Sequence, residues 1–209
     1  MPAPAELSRL LAADFKGSEK DYSTYLDVLS ALGCRPAAAI LDYGCSWGYG
    51  SWQLARAGYR VAGLEISKAR RTYATEHLGV QMCDESSAAS GQFDIFFTSH
   101  VLEHVPSILE VTRFARRALK PGGWFVAFTP NGSAAFRDAD PKSWNHLWGQ
   151  VHPNFLDEQF YTQLFDGVPN LLASSPYSDR HIPDWVSGGC GSVRLPLSGP
   201  ELLVGARFA

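Results

Sequence analysis

The sequence predicts an α/β fold: an open, mostly parallel sheet with helices packed on both faces. Two observations carry this. Short apolar runs alternate with helical periodicities between residues 37 and 131, the alternation that builds βαβ units. One of those runs, Phe93-Asp-Ile-Phe-Phe-Thr98, is almost continuously apolar, as expected of a central strand buried on both sides. A chain of 209 residues can bury one sizeable core. We expect a single domain, 1–209, made of N-terminal helices (1–36), a ligand-binding core (37–131) and a closing segment of lid and strands (132–209).

Residues 5–13 and about 19–32 open the chain as helices. In the second, Tyr22, Tyr25, Leu26, Val28, Leu29 and Leu32 recur at helical spacing, and Gly33 ends it. Ala37 to Tyr43 reads as the first strand. The helix after Gly50 carries Trp52, Leu54 and Ala55 and stops near Gly58. Arg60 to Leu64 is the second strand, and Ser67 can cap the helix Lys68 to His77. Val80 to Cys83 is a short third strand, and 93–98 the fourth. Ser107 to Leu119 is a basic helix with Ile108, Val111, Phe114 and Ala118 along one side. Lys120-Pro-Gly-Gly123 ends it, and Trp124 to Thr129 forms the fifth strand. Residues 130–154 have no clear period, and a stretch of that length predicts an irregular functional loop. Asp157 to Phe165 reads as a last helix, Leu171 to Tyr177 and Glu201 to Phe208 as closing strands, and Asp179 to Gly199 as a long hairpin loop between them.

Composition narrows the function. Hydrophobic residues make up 45 % and charged residues 19 % of the chain, a globular balance. The net charge of −3, with no run of Lys or Arg, argues against sustained nucleic-acid binding. Cys34, Cys45, Cys83 and Cys190 include no CxxC pair and predict free thiols in a reducing, cytoplasmic setting. No window approaches 18 uninterrupted apolar residues, so no membrane partner is expected.

The most specific pattern is Ile40-Leu-Asp-Tyr-Gly-Cys-Ser-Trp-Gly-Tyr-Gly50 followed by Val61-Ala-Gly-Leu-Glu-Ile-Ser67. It reads as strand, glycine-rich turn, helix and a second strand ending on a carboxylate. Glu65 lies 21 positions beyond Gly44, near the roughly 20-residue separation at which an acid reaches a ribose hydroxyl. An adenosine-containing cofactor is therefore expected.

These residues, with Phe93-Asp-Ile-Phe-Phe-Thr-Ser-His-Val-Leu-Glu-His-Val105 and Leu119-Lys-Pro-Gly-Gly-Trp-Phe-Val-Ala-Phe-Thr-Pro-Asn131, resemble the class I S-adenosylmethionine-dependent methyltransferases. The last two segments are similar to the branch of ubiquinone-type and other small-molecule O-methyltransferases. The resemblance implies a three-layer Rossmann-like fold with seven strands, the last antiparallel, and S-adenosyl-L-methionine as cofactor. It implies that Gly44, Cys45, Ser46 and Gly48 border the methionine part, that Asp42 orders the loop or meets the amino group through water, and that Glu65 takes the ribose hydroxyls. Ile66 would pack on the adenine and Asp84, or Glu85 beside it, would accept from the adenine amino group. The family's first motif reads Asp-x-Gly-x-Gly-x-Gly. Ser46 stands at the middle glycine, which serine can occupy if the backbone there avoids positive φ.

Ser99 and His100 follow the fourth strand, so both should face the transferred methyl. A histidine has the intrinsic pKa of a general base, and His100 and His152 are the expected catalytic residues. Some relatives use a Glu-x-x-Glu-His pattern to hold a metal. Here the first acid is His100, followed by Glu103 and His104. That histidine would suit a softer metal than magnesium, but we expect no metal, with Glu103 and His104 bonded to backbone and to the helix after the fifth strand instead. Trp144, His146 and Trp148 should form an aromatic, polar wall against the acceptor, and Arg180, His181, Asp184 and Trp185 are further candidates. The expected activity is methyl transfer to a small molecule, more readily at oxygen than at nitrogen or carbon. The competing readings are a nicotinamide-dependent dehydrogenase, which lacks its Gly-x-Gly-x-x-Gly, and a non-catalytic relative that binds cofactor or a partner chain.

Overall fold

The computed structural model describes residues 3–148, 152–177, 181–188 and 191–208. Arg180 and Cys190, both singled out above, lie outside them. Two helices, α1 (Pro4–Ala12) and α2 (Ser23–Ala31), precede the sheet. The central alternation follows as β1 (Ala39–Tyr43), α3 (Tyr49–Arg56), β2 (Arg60–Leu64), α4 (Lys68–Leu78), β3 (Gln81–Met82), α5 (Glu85–Ala88), β4 (Phe93–Ser99), α6 (Ile108–Ala118) and β5 (Leu119–Pro130). The chain then forms α7 (Ala134–Ala139), α8 (Pro141–Leu147), α9 (Glu158–Leu164), β6 (Asn170–Ser174), α10 (His181–Ser187), β7 (Val193–Arg194) and β8 (Glu201–Arg207).

Among the described residues eight strands form one sheet in the order β3-β2-β1-β4-β5-β8-β6-β7. Only β8 runs against its neighbours, pairing antiparallel with both β5 and β6. The eighth strand corrects the expected seven. It is β7, a two-residue edge strand parallel to β6, and it lies with α10 inside the segment expected to be one hairpin loop. A second correction concerns 130–154. Its first part folds as α7 and α8, each too short to show a period in sequence. Both are capped by a side chain: Ser133 accepts from the Phe136 amide and Asp140 from the Ser143 amide.

Strand alternation sends successive side chains to opposite faces. Leu41, Phe96, Phe125 and Ala127 pack with α6 and α9 on one face. Ile40, Ile95, Phe97, Val126 and Phe128 pack with α2, Leu54 of α3 and α10 on the other. A third cluster seals α1 and Phe15 onto Tyr49 and Tyr73. Trp185, a candidate for the pocket, is core instead, 5.5 Å from Trp124 with its indole N–H donated to the Gly191 carbonyl. Cys34, Cys45 and Cys83 are free thiols. Among the described residues no helix is long and apolar enough to cross a membrane.

Candidate active site

The carboxyl ends of β1, β2, β4 and β5 converge at one edge of the sheet, where open α/β sheets bind ligands. β1 delivers the glycine-rich turn there. Its backbone is left-handed at Gly44 (φ +78°), Ser46 (φ +52°) and Gly48 (φ +83°). A Cβ on Gly44 would collide with the Val101 side chain, and one on Gly48 would lie 2.7 Å from Ala74 Cβ, so both glycines are required. Ser46 corrects the sequence reading: it does occupy positive φ, at a cost of roughly 1–2 kcal/mol for a non-glycine residue. The turn is held by Glu65. Its Oε2 accepts from the Ser46 amide at 3.0 Å and its Oε1 from the Ser67 amide at 2.8 Å.

Asp42 is 3 % exposed beneath this turn and accepts from Ser51 Oγ at 2.5 Å. Burial raises its carboxyl to about 6, against the lowering effect of the Ser51 bond and with a further push from Glu65. Cys45 turns inward. Its thiol is buried against Gly63 and its amide donates to Leu64, while its carbonyl accepts from Gly48 and keeps a second lone pair. Ile66, beside Glu65, is 93 % exposed, a large apolar side chain of the kind an adenine ring would cover. Asp84 caps α5: its Oδ1 accepts from Ser86 Oγ and from the Ser87 amide, both at 2.8 Å, and these bonds hold its carboxyl down at about 2. Glu85 begins that helix and is exposed.

His100 sits just past β4 at φ +54°. Its Nε2 donates to Glu201 Oε2 at 2.6 Å, and its Nδ1 stands 3.5 Å from Glu103 Oε1. Burial lowers its pKa, but the two carboxylates override this and raise it to about 9. The two carboxylates thus favour the protonated ring, which counts against the expected role of His100 as the base. Glu201 was not among the expected residues. It also accepts from Tyr25 Oη at 2.7 Å and Tyr177 Oη at 2.5 Å.

Glu103 is 0 % exposed, and neither of its oxygens has a hydrogen-bond partner among the described residues. The expected backbone bonds are therefore not made. His104 Nε2 lies 3.8 Å from Glu103 Oε1, and one ligand atom each from Glu103, His104 and His152 falls within 4.8 Å of the others. Asn154 brings His152 there. Its side-chain amide donates to the carbonyls of Leu102 and Val105, and its backbone amide to that of Glu103. His152 Nδ1 bonds the Leu147 carbonyl. A carbonyl only accepts, so Nδ1 carries the hydrogen and Nε2 keeps its lone pair. Trp148 stacks near Phe155 at 4.6 Å and Trp144 near the same ring at 5.3 Å. The two indoles thus form a wall beside His152. His146 does not join it and is exposed on α8. A cleft of about 910 Å³ at the opposite, amino-terminal edge, between Ala39, Trp52 and Phe93, contains none of these residues.

The sheet order, the left-handed turn and the buried acid at the end of β2 define a class I S-adenosylmethionine-dependent methyltransferase. The chain belongs to the family described as Methyltransferase domain, which it matches over residues 9–168. It is 35 % identical over 150 residues to the Ubiquinone biosynthesis O-methyltransferase of Albidiferax ferrireducens, covering 62 % of this chain and 60 % of that protein. It is 32 % identical over 120 residues to the protein of the same name from Xanthomonas campestris pv. campestris, covering 53 % and 50 %. The chain spans about half the length of the curated relatives it matches. In fold it is similar to geranyl diphosphate C-methyltransferase from Streptomyces coelicolor A3(2), with a TM-score of 0.60 at 17 % identity over 98 % of this chain and 83 % of that one. A SAM-dependent methyltransferase from Aquifex aeolicus gives 0.62 at 14 % identity over 97 % and 98 %. S-adenosyl-L-methionine is the cofactor of this class. The residues fit it: a tight backbone turn, a carboxylate whose oxygens each retain acceptor capacity, and an uncovered apolar side chain.

Proposed function

We propose that this protein transfers a methyl group from S-adenosyl-L-methionine to an oxygen atom of a small molecule. The observation that carries the reading is His152, whose Nε2 lone pair is set by the Leu147 carbonyl and which stands beside the Trp144–Trp148 wall. The names of the O-methyltransferase relatives support it from a distance.

Held by the Gly44–Gly48 turn and Glu65, S-adenosyl-L-methionine would supply an electrophilic sulfonium methyl, a carbon–oxygen bond forming as its carbon–sulfur bond breaks. The chain's own work is orientation and proton removal. The Gly44–Gly48 turn, Glu65 and Ile66 hold the adenosyl and methionine ends. The indoles of Trp144 and Trp148 exclude water from one side of the acceptor. His152 Nε2 accepts the hydroxyl proton, and the His100 ring, held by Glu201 on one nitrogen and facing Glu103 with the other, places favourable positive charge beside the acceptor. No nucleic-acid or membrane partner is needed for this chemistry.

The test is incubation with S-adenosyl-L-methionine and a panel of phenols, sugars and amines, reading S-adenosylhomocysteine release and product mass. Release with hydroxylated acceptors, reduced roughly 10²–10⁴-fold in His152→Ala as for loss of a general base, is expected. Turnover on amines alone would overturn the oxygen assignment. Tight S-adenosylhomocysteine binding with no turnover on any acceptor would leave a cofactor-binding relative that does not transfer methyl.

A further inference from the structure

We propose that the Tyr22 hydroxyl contacts the sulfonium methyl of S-adenosyl-L-methionine, so that this chain holds the methylated donor more tightly than the demethylated product. The first ground is Gly50. It ends the glycine-rich pattern, yet it lies in α3, where its backbone is helical and a glycine weakens the helix. What requires the glycine is Tyr22. An added Cβ would lie 2.2 Å from Tyr22 Cε1 and 2.6 Å from Tyr22 Oη. The phenol is laid flat against the first turn of the helix that follows the cofactor turn, and only a residue without a side chain permits that approach.

The second ground is preorganisation. Gln53 of α3 is buried and clamps the segment that carries Tyr22. Its Oε1 accepts from the Tyr22 amide at 2.9 Å, and its Nε2 donates to the Lys20 carbonyl at 2.8 Å and the Tyr49 carbonyl at 3.0 Å. The Tyr22 ring meets Tyr25 edge-on at 4.9 Å and lies 6.0 Å from Phe97 of β4. Backbone and ring are therefore both fixed without a ligand, as a group that positions a reacting atom must be.

The surroundings of the oxygen then select what it meets. Burial pushes the phenol well above its ordinary value, the Asp42 carboxylate and Tyr25 push the same way, and the Ser99 side chain opposes them. Asp42 lies under the glycine turn, Ser99 ends β4 and Gly50 opens α3, so Tyr22 stands where these three border the cofactor site. An un-ionised phenol keeps its oxygen lone pairs. Oxygen atoms accept weak hydrogen bonds from C–H groups, and the positive sulfur polarises those of its methyl. S-adenosylhomocysteine has lost that methyl and with it the contact.

Calorimetric titration of the full chain with S-adenosyl-L-methionine and, separately, with S-adenosylhomocysteine tests this without an acceptor. It therefore fails or succeeds independently of the oxygen assignment. In Tyr22→Phe the ratio of the two affinities should shift against S-adenosyl-L-methionine by roughly 2–5-fold, the worth of one such contact, with S-adenosylhomocysteine affinity nearly unchanged. Gly50→Ala, which displaces the ring while leaving its hydroxyl, should shift the ratio the same way. Tyr59→Phe, at the opposite edge of the sheet, should not. On the wild-type chain the proton resonance of an isotopically labelled sulfonium methyl should move downfield from its place in the free ligand. An unchanged ratio in Tyr22→Phe or in Gly50→Ala, equal weakening of both ligands, or a methyl resonance that does not move downfield would each overturn the proposal.

Discussion

At the residue scale the clearest consequence lies with Asp42. Its carboxyl is raised from 3.8 to about 6 by burial beneath the turn. A raised folded-state value means that the stability contribution is fully present below the unfolded value and is lost as pH rises through the folded one. Urea unfolding between pH 4 and 8 should therefore show wild type losing stability relative to Asp42→Asn across the window from about 4 to about 6. The relative loss should be on the order of 3 kcal/mol, from 1.36 kcal/mol per unit. A pH-independent difference between the two would remove the assignment. Glu65→Ala strips the bonds to Ser46 and Ser67 as well as the ribose acceptor. S-adenosylhomocysteine affinity by calorimetry should fall by roughly 1.5–3 kcal/mol, the range for a hydrogen bond to a charged group. These residues were legible in the sequence because their roles are local: a turn, and an acid one strand further on. Glu201 was not, because its partners Tyr25 and His100 lie 176 and 101 residues away. A single acid at the start of a strand carries no mark of that.

At the element scale the segment after β5 decides how the site is covered. Its helices escaped the periodicity reading because α7 has six residues and α8 seven. Their caps, Ser133 and the pair Asp140-Pro141, were visible as local signals with no period to attach to. Asn154 joins this segment to the turn after β4. Its replacement by alanine removes two side-chain bonds to carbonyls, worth about 1 kcal/mol each. Asn154→Ala should lose about 2 kcal/mol of stability and show faster amide hydrogen exchange over 152–156, with S-adenosylhomocysteine affinity unchanged. Unchanged exchange in that stretch would mean that other contacts hold His152.

At the scale of the whole molecule the antiparallel insertion of β8 between β5 and β6 organises both faces. Its Leu203 and Val204 enter opposite clusters, both fully buried. Gly205 follows them and faces the cluster of Trp185, Leu171 and Leu32 with space to spare: an added Cβ would meet nothing nearer than Trp185 at 3.8 Å. Gly205→Ala should stabilise the protein by about 0.4–1 kcal/mol through a less flexible unfolded chain, measured as a rise in the urea midpoint. The same change at Gly199 would drive a methyl into the Ser175 carbonyl and should destabilise. The alternating strands and helices made this architecture readable. The short β7 was not, because two residues at an edge carry no pattern.

Glu201 opens β8 and accepts from Tyr25 of α2, from Tyr177 and from His100. During synthesis, therefore, the glycine turn can form long before the site is finished. His100 stays without its anchor until β8, which carries Glu201 101 residues further along, has taken its place between β5 and β6. Contacts between such distant segments form late, so the glycine turn and Glu65 can be in place well before His100 is fixed.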